Sequence, residues 1–119
     1  MNSYKEWLVE MTQSNVRQIL QVVLSKFPCS SQQINSGQCD SWVAEAHHAL
    51  DGAGIDSDVW STADWDDDYS HDDDHMFLQI GMKFYDAESL SGINKHTDLP
   101  FYKRRFAEKG KFPPVVQLT

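Results

Sequence analysis

Apolar residues recur at helical spacing near the start of the chain. They predict two helical pieces, residues 3–12 and 14–26, and the second piece has an apolar face made by Val16, Ile19, Leu20 and Val23. After a turn-rich stretch, "FPCSSQQINSG", the segment "GQCDSWVAEAHHAL" predicts a third helix that carries Cys39 in its first turn and runs through Leu50. The first half of the chain is therefore expected to be helical.

The second half of the chain has the patterns of strands. "IDSDVW", residues 55–60, is a short strand candidate, and "HMFLQI" and "KFYDAE" flank a two-residue turn, which predicts a β-hairpin. Beyond the hairpin we expect mainly loop, a short basic helix and a C-terminal tail. Helices followed by antiparallel strands indicate an α+β fold, with N-terminal helices and the cysteine-bearing helix packed on a small sheet.

Length and composition indicate a single domain over residues 1–119. Hydrophobic residues make up 40% of the 119 residues, which is enough for one modest core. The N-terminus lacks the pattern of a secretory signal, and no window approaches the roughly 18 apolar residues of a membrane span. We therefore expect a cytoplasmic protein that does not enter a membrane. Two cysteines are too few for a disulfide framework, so Cys39 is expected to be a free thiol.

The net charge of −8 comes largely from one segment. Seven aspartates, and no lysine or arginine, lie from Asp64 to Asp74 in "DWDDDYSHDDD", which predicts a solvated loop because like charges repel one another. The segment lacks the spacing and the glycine of a calcium-binding loop, so we expect no bound metal. The acidic balance also argues against direct contact with nucleic acid and favours a basic substrate or partner.

Cys39 is the first candidate for chemistry, because of its place in the predicted helix. Backbone N–H groups in the first turn of a helix have no intrahelical acceptor, and the positive end of the helix dipole favours an anion. A thiolate there is a nucleophile, and the N–H of the same residue can donate to the oxyanion that forms on an attacked carbonyl. The alternative is a small, inert side chain packed at the helix start.

A catalytic thiol needs a base, and His75 is the histidine best placed to be one. It begins the strand "HMFLQI", and the two-residue turn pairs residue 80 with residue 83. In that register Glu88 lies directly opposite His75 and Asp86 lies diagonal to it, all on one face of the hairpin. Either carboxylate can orient the imidazole, and the register alone leaves the choice between them open.

The stretches "GQCDSWVAEAHHAL", "HMFLQI" and "KFYDAESLSG" together resemble the papain-like cysteine protease superfamily, in its transglutaminase-like branch. The resemblance covers roughly residues 33–100. It implies thiol chemistry on an amide or ester carbonyl, without a cofactor, with Cys39 as nucleophile, His75 as base and acid, and Asp86 as the orienting residue. The papain branch also has an oxyanion-hole glutamine shortly before its cysteine, and Gln33 has the closest spacing.

Two functions from different classes fit these residues. The first is a cysteine-dependent hydrolase or acyltransferase that acts on a peptide, isopeptide or glutamine-type amide, and it requires Cys39, His75 and Asp86 together. The second is a non-catalytic acidic binding or inhibitor protein on the same fold, which engages a basic partner and does not need the three residues. Alkylation of the native thiols separates them, because only the enzyme requires a reactive Cys39.

Overall fold

A computed structural model describes residues 4–35, 39–63 and 75–119 of the chain, with side chains from residue 13 onward. The helices and strands follow in the order α1 (Tyr4–Ser25), α2 (Ser31–Asn35), α3 (Cys39–Gly52), β1 (Asp58–Thr62), β2 (Met76–Ile80), β3 (Lys83–Asp86), β4 (Ser89–Ile93), α4 (Pro100–Phe106) and β5 (Val115–Gln117). Helices combined with an antiparallel sheet confirm the predicted α+β class at this coarse level. Within the described ranges, no helix combines the length and apolar character that crossing a membrane requires.

The described strands form a five-stranded antiparallel sheet in the order β4-β3-β2-β1-β5. The β2–β3 hairpin has the predicted register, with Ile80 opposite Lys83 across the two-residue turn. Gly81 in this turn has a φ of +61°, which glycine adopts without steric cost. This register brings the start of β2 beside the end of β3, and His75 and Asp86 lie at these two points.

Each face of the sheet has its own hydrophobic core, because side chains alternate in direction along the strands. One face packs against α1 and α3 and forms the helical core, whose buried members are Val16, Leu20, Val23, Ile34, Trp42, Val43, Ala46, Leu50, Val59, Leu78, Tyr85 and Ala87. The opposite face packs against α4 and forms the aromatic core, whose buried members are Phe77, Leu99, Phe101, Tyr102 and Phe106. The sheet is therefore the middle of three layers.

Several predicted elements differ from the structure. α1 is one continuous helix where the sequence predicted two pieces, because Gln13 and Ser14 are tolerated inside a helix and no glycine or proline lies between the pieces. β1 begins at Asp58, three residues later than predicted, and the turn-rich stretch contains the short helix α2. The predicted tail forms β5, which pairs with β1.

The sequence also does not predict β4, because the alternation of polar and apolar residues in "SLSGI" covers only three residues before Gly92. β4 pairs with β3 through a bulge that lies just before the pair of Asp86 and Ser89. The Tyr85 ring passes over Gly92 in this bulge, and a Cβ built on Gly92 would lie 2.7 Å from a ring carbon. Only glycine fits that contact, and its φ of +81° is also one that other residues rarely adopt.

Candidate active site

The main chain of His75 is held by Thr62 at the end of β1. The His75 N–H donates to Thr62 Oγ1 at 3.1 Å, and the Thr62 N–H donates to the His75 carbonyl oxygen at 3.0 Å. The Thr62 hydroxyl is also 2.6 Å from the Tyr102 hydroxyl, which ties α4 to the same point. These bonds fix His75 one residue before β2, close to its predicted place at the start of the strand.

The imidazole of His75 is fully buried against the aromatic core. It stacks on the Phe101 ring with 4.3 Å between centroids and 15° between planes, and the Tyr102 ring meets it edge-on at 5.7 Å. Phe77 lies against it at 6.3 Å in a second stacked contact. Close packing on these sides fixes the plane of the imidazole, so its two nitrogens point in set directions.

One ring nitrogen of His75 is bound by Asp86. Nε2 lies 2.9 Å from Asp86 Oδ2, and both side chains are at most 1% exposed. The other carboxylate oxygen, Oδ1, accepts the Glu88 N–H at 2.9 Å in the turn that follows β3. An ionised carboxylate can only accept hydrogen bonds, so Nε2 carries a proton and Nδ1 is the nitrogen left for other chemistry.

The second ring nitrogen, Nδ1, is buried and has no hydrogen bond of normal geometry to any described residue. The Cys39 thiol nevertheless interacts with the imidazole. Burial by itself lowers the pKa of His75, but the hydrogen bond to Asp86, the interaction with Cys39 and the charges of both groups outweigh it, so the pKa is raised above 6.5. The surroundings therefore favour an imidazolium that has a carboxylate on one side and a thiol nearby.

Among the described residues α3 begins at Cys39, which the sequence placed in the first turn of this helix, and the Cys39 side chain is partly exposed. By helix geometry its N–H has no acceptor inside α3, while the predicted capping residues fall in the segment 36–38, outside the described residues. The neighbouring Asp40 is exposed, and its Oδ1 accepts the Ser41 N–H at 2.8 Å. Cys29 is also a free thiol, and it packs partly buried against the helical core.

Glu88, the other carboxylate that the hairpin register allowed, has partners of its own. Its two oxygens accept hydrogen bonds from the two terminal nitrogens of Arg104 at 2.6 and 2.9 Å, and Oε1 also accepts the Asn35 side-chain amide at 2.8 Å. The hydrogen bonds from Arg104 lower the pKa of Glu88, although partial burial opposes them. Of the two carboxylates, Asp86 is thus the one hydrogen-bonded to the imidazole.

Gln33, the predicted oxyanion residue, lies in α2 with an exposed side chain. Its Oε1 accepts the Ser30 N–H at 2.9 Å, and its own N–H donates to Ser30 Oγ at 3.2 Å. This reciprocal pair caps the start of α2, in the way a capping box does. The side-chain oxygen of Gln33 is used by that cap, and its role in an oxyanion hole stays a prediction.

Sequence reasoning missed the residues that support His75 and Asp86. Phe101, Tyr102 and Arg104 lie in "PFYKRRF", which the sequence indicated only as a short basic helix. The three aromatic residues of that segment were an available signal that it packs against the sheet. Thr62 and Asn35 carry no comparable signal, because a single polar residue at the end of an element is common in any sequence.

The acidic segment, residues 64–74, lies outside the described residues, so its predicted loop stays a prediction. Among the residues that are described, no three side chains of Cys, His, Asp or Glu are arranged to hold a metal ion. Comparison with models of protein families found no match, and comparisons with curated proteins and with solved structures found no significant similarity.

Proposed function

We propose that this chain is a cysteine-dependent hydrolase or acyltransferase that acts on an amide through Cys39, His75 and Asp86. The observation that carries the proposal is the state of the His75 ring. It is buried, its Nε2 is bound by Asp86, its Nδ1 has no hydrogen bond of normal geometry within the described residues, and Cys39 contributes to its raised pKa. A catalytic base needs one nitrogen held in place and the other available to a nucleophile, and His75 meets both conditions.

The energetic cost of the His75–Asp86 pair supports a chemical role. Burial removes two ionisable groups from water, and a hydrophobic pair of similar volume is often at least as stable. The rings around His75 belong to Phe101, Tyr102 and Phe77, so an aromatic residue would suit packing alone. A polar pair in such surroundings, with one ring nitrogen unpaired, is typical of groups kept for their reactivity.

The proposed reaction has two steps. In the first, the Cys39 thiolate attacks the carbonyl carbon of the amide, and the resulting oxyanion faces the N–H at the start of α3. As the C–N bond breaks, Nδ1–H of the His75 imidazolium gives its proton to the departing amine, which leaves a thioester on Cys39 and a neutral imidazole.

In the second step, water or an acceptor amine attacks the thioester while His75 takes its proton. The carbon–sulfur bond breaks, the acid or the new amide leaves, and the thiolate and imidazolium are restored. Asp86 holds the ring in both steps and stabilises its positive charge. Hydrolysis and acyl transfer therefore differ only in which nucleophile reaches the thioester.

The proposed fold is papain-like, in its transglutaminase-like form. Three features support it. Cys39 lies at the start of α3, and α3 packs on β2. His75 directly precedes β2, and Asp86 is the last residue of the adjacent strand β3. The net charge of −8 favours a peptide or protein substrate that carries basic residues, and it disfavours direct contact with nucleic acid.

Alkylation of the native protein with iodoacetamide, followed by peptide mapping from pH 5 to 9, tests the proposal. We expect Cys39 to react faster than Cys29 at pH 6, because an imidazolium beside a thiol favours the thiolate. His75→Ala should slow the reaction of Cys39 at pH 6 by about tenfold or more, toward the rate of an ordinary thiol with a pKa near 8.5. Asp86→Asn should give a partial loss.

Cys29→Ser is the matched control, and it should leave the alkylation profile of Cys39 unchanged. Far-UV circular dichroism shows whether the His75→Ala and Asp86→Asn variants are folded. If neither variant changes the pH dependence of Cys39 alkylation, or if Cys29 reacts first, the proposal is wrong. The acidic protein that binds a basic partner without catalysis would then be the better description.

A further inference from the structure

We infer that Glu88 is a positioning residue: its carboxylate binds Asn35 at the end of α2 and Arg104 in α4, and its main-chain N–H couples both to the Asp86–His75 pair. The inference rests on the proposed function, because it concerns how the same site is held together. Glu88 would act through its neighbours, and it is assigned no contact with the substrate. The geometry that supports this role joins three separate parts of the chain.

Those three parts meet at the turn between β3 and β4. Arg104 in α4 binds the Glu88 carboxylate with both terminal nitrogens, and Asn35 at the end of α2 donates to the same carboxylate at 2.8 Å. The main-chain N–H of Glu88 donates to Asp86 Oδ1 at 2.9 Å. A displacement of Glu88 would therefore shift the Asp86 carboxylate, whose other oxygen, Oδ2, holds His75.

The contact with Asn35 links Glu88 to the nucleophile. Asn35 is only 2% exposed, and it is four residues from Cys39. Four residues span at most about 14 Å when fully extended. The Asn35 side chain is bound to the Glu88 carboxylate. Cys39, four residues later, therefore cannot lie farther from Asn35 than this span allows.

The contact with Arg104 links Glu88 to the helix that packs on His75. Arg104 follows Phe101 by three residues in α4, and the Phe101 ring stacks on the imidazole. A guanidinium that binds both oxygens of one carboxylate fixes orientation as well as distance. The Lys26–Glu45 pair is different, because it has a separation of 3.9 Å and both side chains are more than half exposed.

The Lys26–Glu45 pair supplies the control for the test. We would prepare Glu88→Gln and Glu45→Gln, which make the same chemical change. The first alters the carboxylate that binds both Arg104 and Asn35, and the second alters the exposed pair with Lys26. At pH 6 we expect Glu88→Gln to slow alkylation of Cys39 by iodoacetamide roughly three- to tenfold and to move its pH profile toward that of Asp86→Asn. Glu45→Gln should match the wild type.

Two further variants separate positioning from a purely structural role. Arg104→Lys keeps the positive charge but loses the paired donors, so it should give an intermediate alkylation rate. The double variant Glu88→Gln with Arg104→Lys should be no slower than Glu88→Gln alone, because both changes break the same contact. If Glu88→Gln does not fold, Arg104→Lys decides the question by the same comparison with Glu45→Gln.

The outcomes are distinguishable from those of the proposed function. If His75→Ala changes the alkylation profile but Glu88→Gln and Arg104→Lys only lower the unfolding midpoint, the coupling role is wrong and the proposed enzyme stands. If His75→Ala has no effect, the proposed function itself fails. A changed profile in Glu88→Gln and Arg104→Lys, with a normal profile in Glu45→Gln, supports the coupling.

Discussion

Replacement of Asp86 by asparagine should destabilise the fold most strongly at acidic pH. The variant keeps the size and nearly the shape of the side chain, but it removes the negative charge that lies 2.9 Å from His75 Nε2. Both groups are buried, so water cannot replace the lost partner. The change therefore isolates the interaction between the carboxylate and the imidazolium.

The pH dependence follows from the direction of the shift in the pKa of His75. In the wild type this pKa is raised above the unfolded value of 6.5, so the proton on His75 stabilises the fold fully below pH 6.5, and that contribution is lost as the pH rises through the folded pKa. Asp86→Asn removes the carboxylate, the largest of the effects that raise the pKa of His75 against burial, so this pKa is lower in the variant than in the wild type. As the pH drops, the unfolded variant takes up a proton on His75 that the folded variant binds less readily, so acidification favours unfolding of the variant.

The size of the effect can be estimated from linkage. Where native His75 is protonated in the wild type and neutral in the variant, the difference in unfolding free energy grows by about 1.4 kcal/mol for each pH unit of acidification. It should approach the roughly 3–5 kcal/mol that is typical when a buried ion pair loses one partner. On the alkaline side, the loss should fall to about 1 kcal/mol, because a hydrogen bond from the neutral imidazole to a carboxylate is replaced by a weaker one to a neutral amide.

Urea unfolding of the wild type and Asp86→Asn at pH 5, 6.5 and 8 measures this difference directly, with Glu45→Gln as the exposed control. The expected result is a difference that increases steadily from pH 8 to pH 5, while the control shows none. A difference that is constant, or that shrinks on acidification, would refute the reasoning, because it would mean that His75 is neutral in the folded wild type.

Two other predictions concern the residues that shape and hold the site. Gly92→Ala should lower the unfolding free energy by about 2–4 kcal/mol, because the added Cβ would lie 2.7 Å from the Tyr85 ring and the φ of residue 92 is positive. Urea unfolding tests this, and an unchanged midpoint would contradict the bulge geometry. Thr62→Val should cost about 2–3 kcal/mol, because it leaves the His75 N–H buried without an acceptor, whereas Tyr102→Phe should cost about 1 kcal/mol. The same measurement tests both, and equal losses would contradict the assignment of Thr62 as the acceptor that holds the His75 main chain.

The parts of the fold that could be predicted depend on short-range chemistry. A two-residue turn with a glycine sets the register of the β2–β3 hairpin without help from the rest of the chain, so the pairing of residues 80 and 83 was predictable. Helix-start signals likewise placed Cys39 near the beginning of α3, and among the described residues α3 begins there. Local signals alone therefore predicted that Cys39 lies near the start of a helix and that His75 lies at the start of a strand.

The choice between Asp86 and Glu88 could not be predicted, for a physical reason. Both carboxylates lie within reach of His75 in the hairpin register, and what distinguishes them is a third residue far along the chain. Arg104, 16 residues beyond Glu88, binds that carboxylate with two hydrogen bonds and leaves Asp86 to the imidazole. No periodicity or turn signal in the sequence encodes such a contact.

The edge strands were missed for a related reason. β4 has an apolar alternation over only three residues and contains a glycine with a positive φ, and β5 has only three residues, of which two are exposed. Segments of this kind become strands because a neighbouring strand offers hydrogen bonds, and their own preferences are too weak to predict them. The stronger strands β1 and β3 supply that template.

The short helix α4 shows how the candidate site depends on packing. Within its seven residues, Phe101 stacks on the His75 ring and Arg104 binds Glu88. The Tyr102 hydroxyl lies in hydrogen-bond distance of Thr62, which binds the main chain of His75. A helix of this length has little stability of its own, so these contacts must also hold α4 in place. The reactivity of the proposed site and the stability of the aromatic core are therefore linked, and a substitution in α4 should change both together.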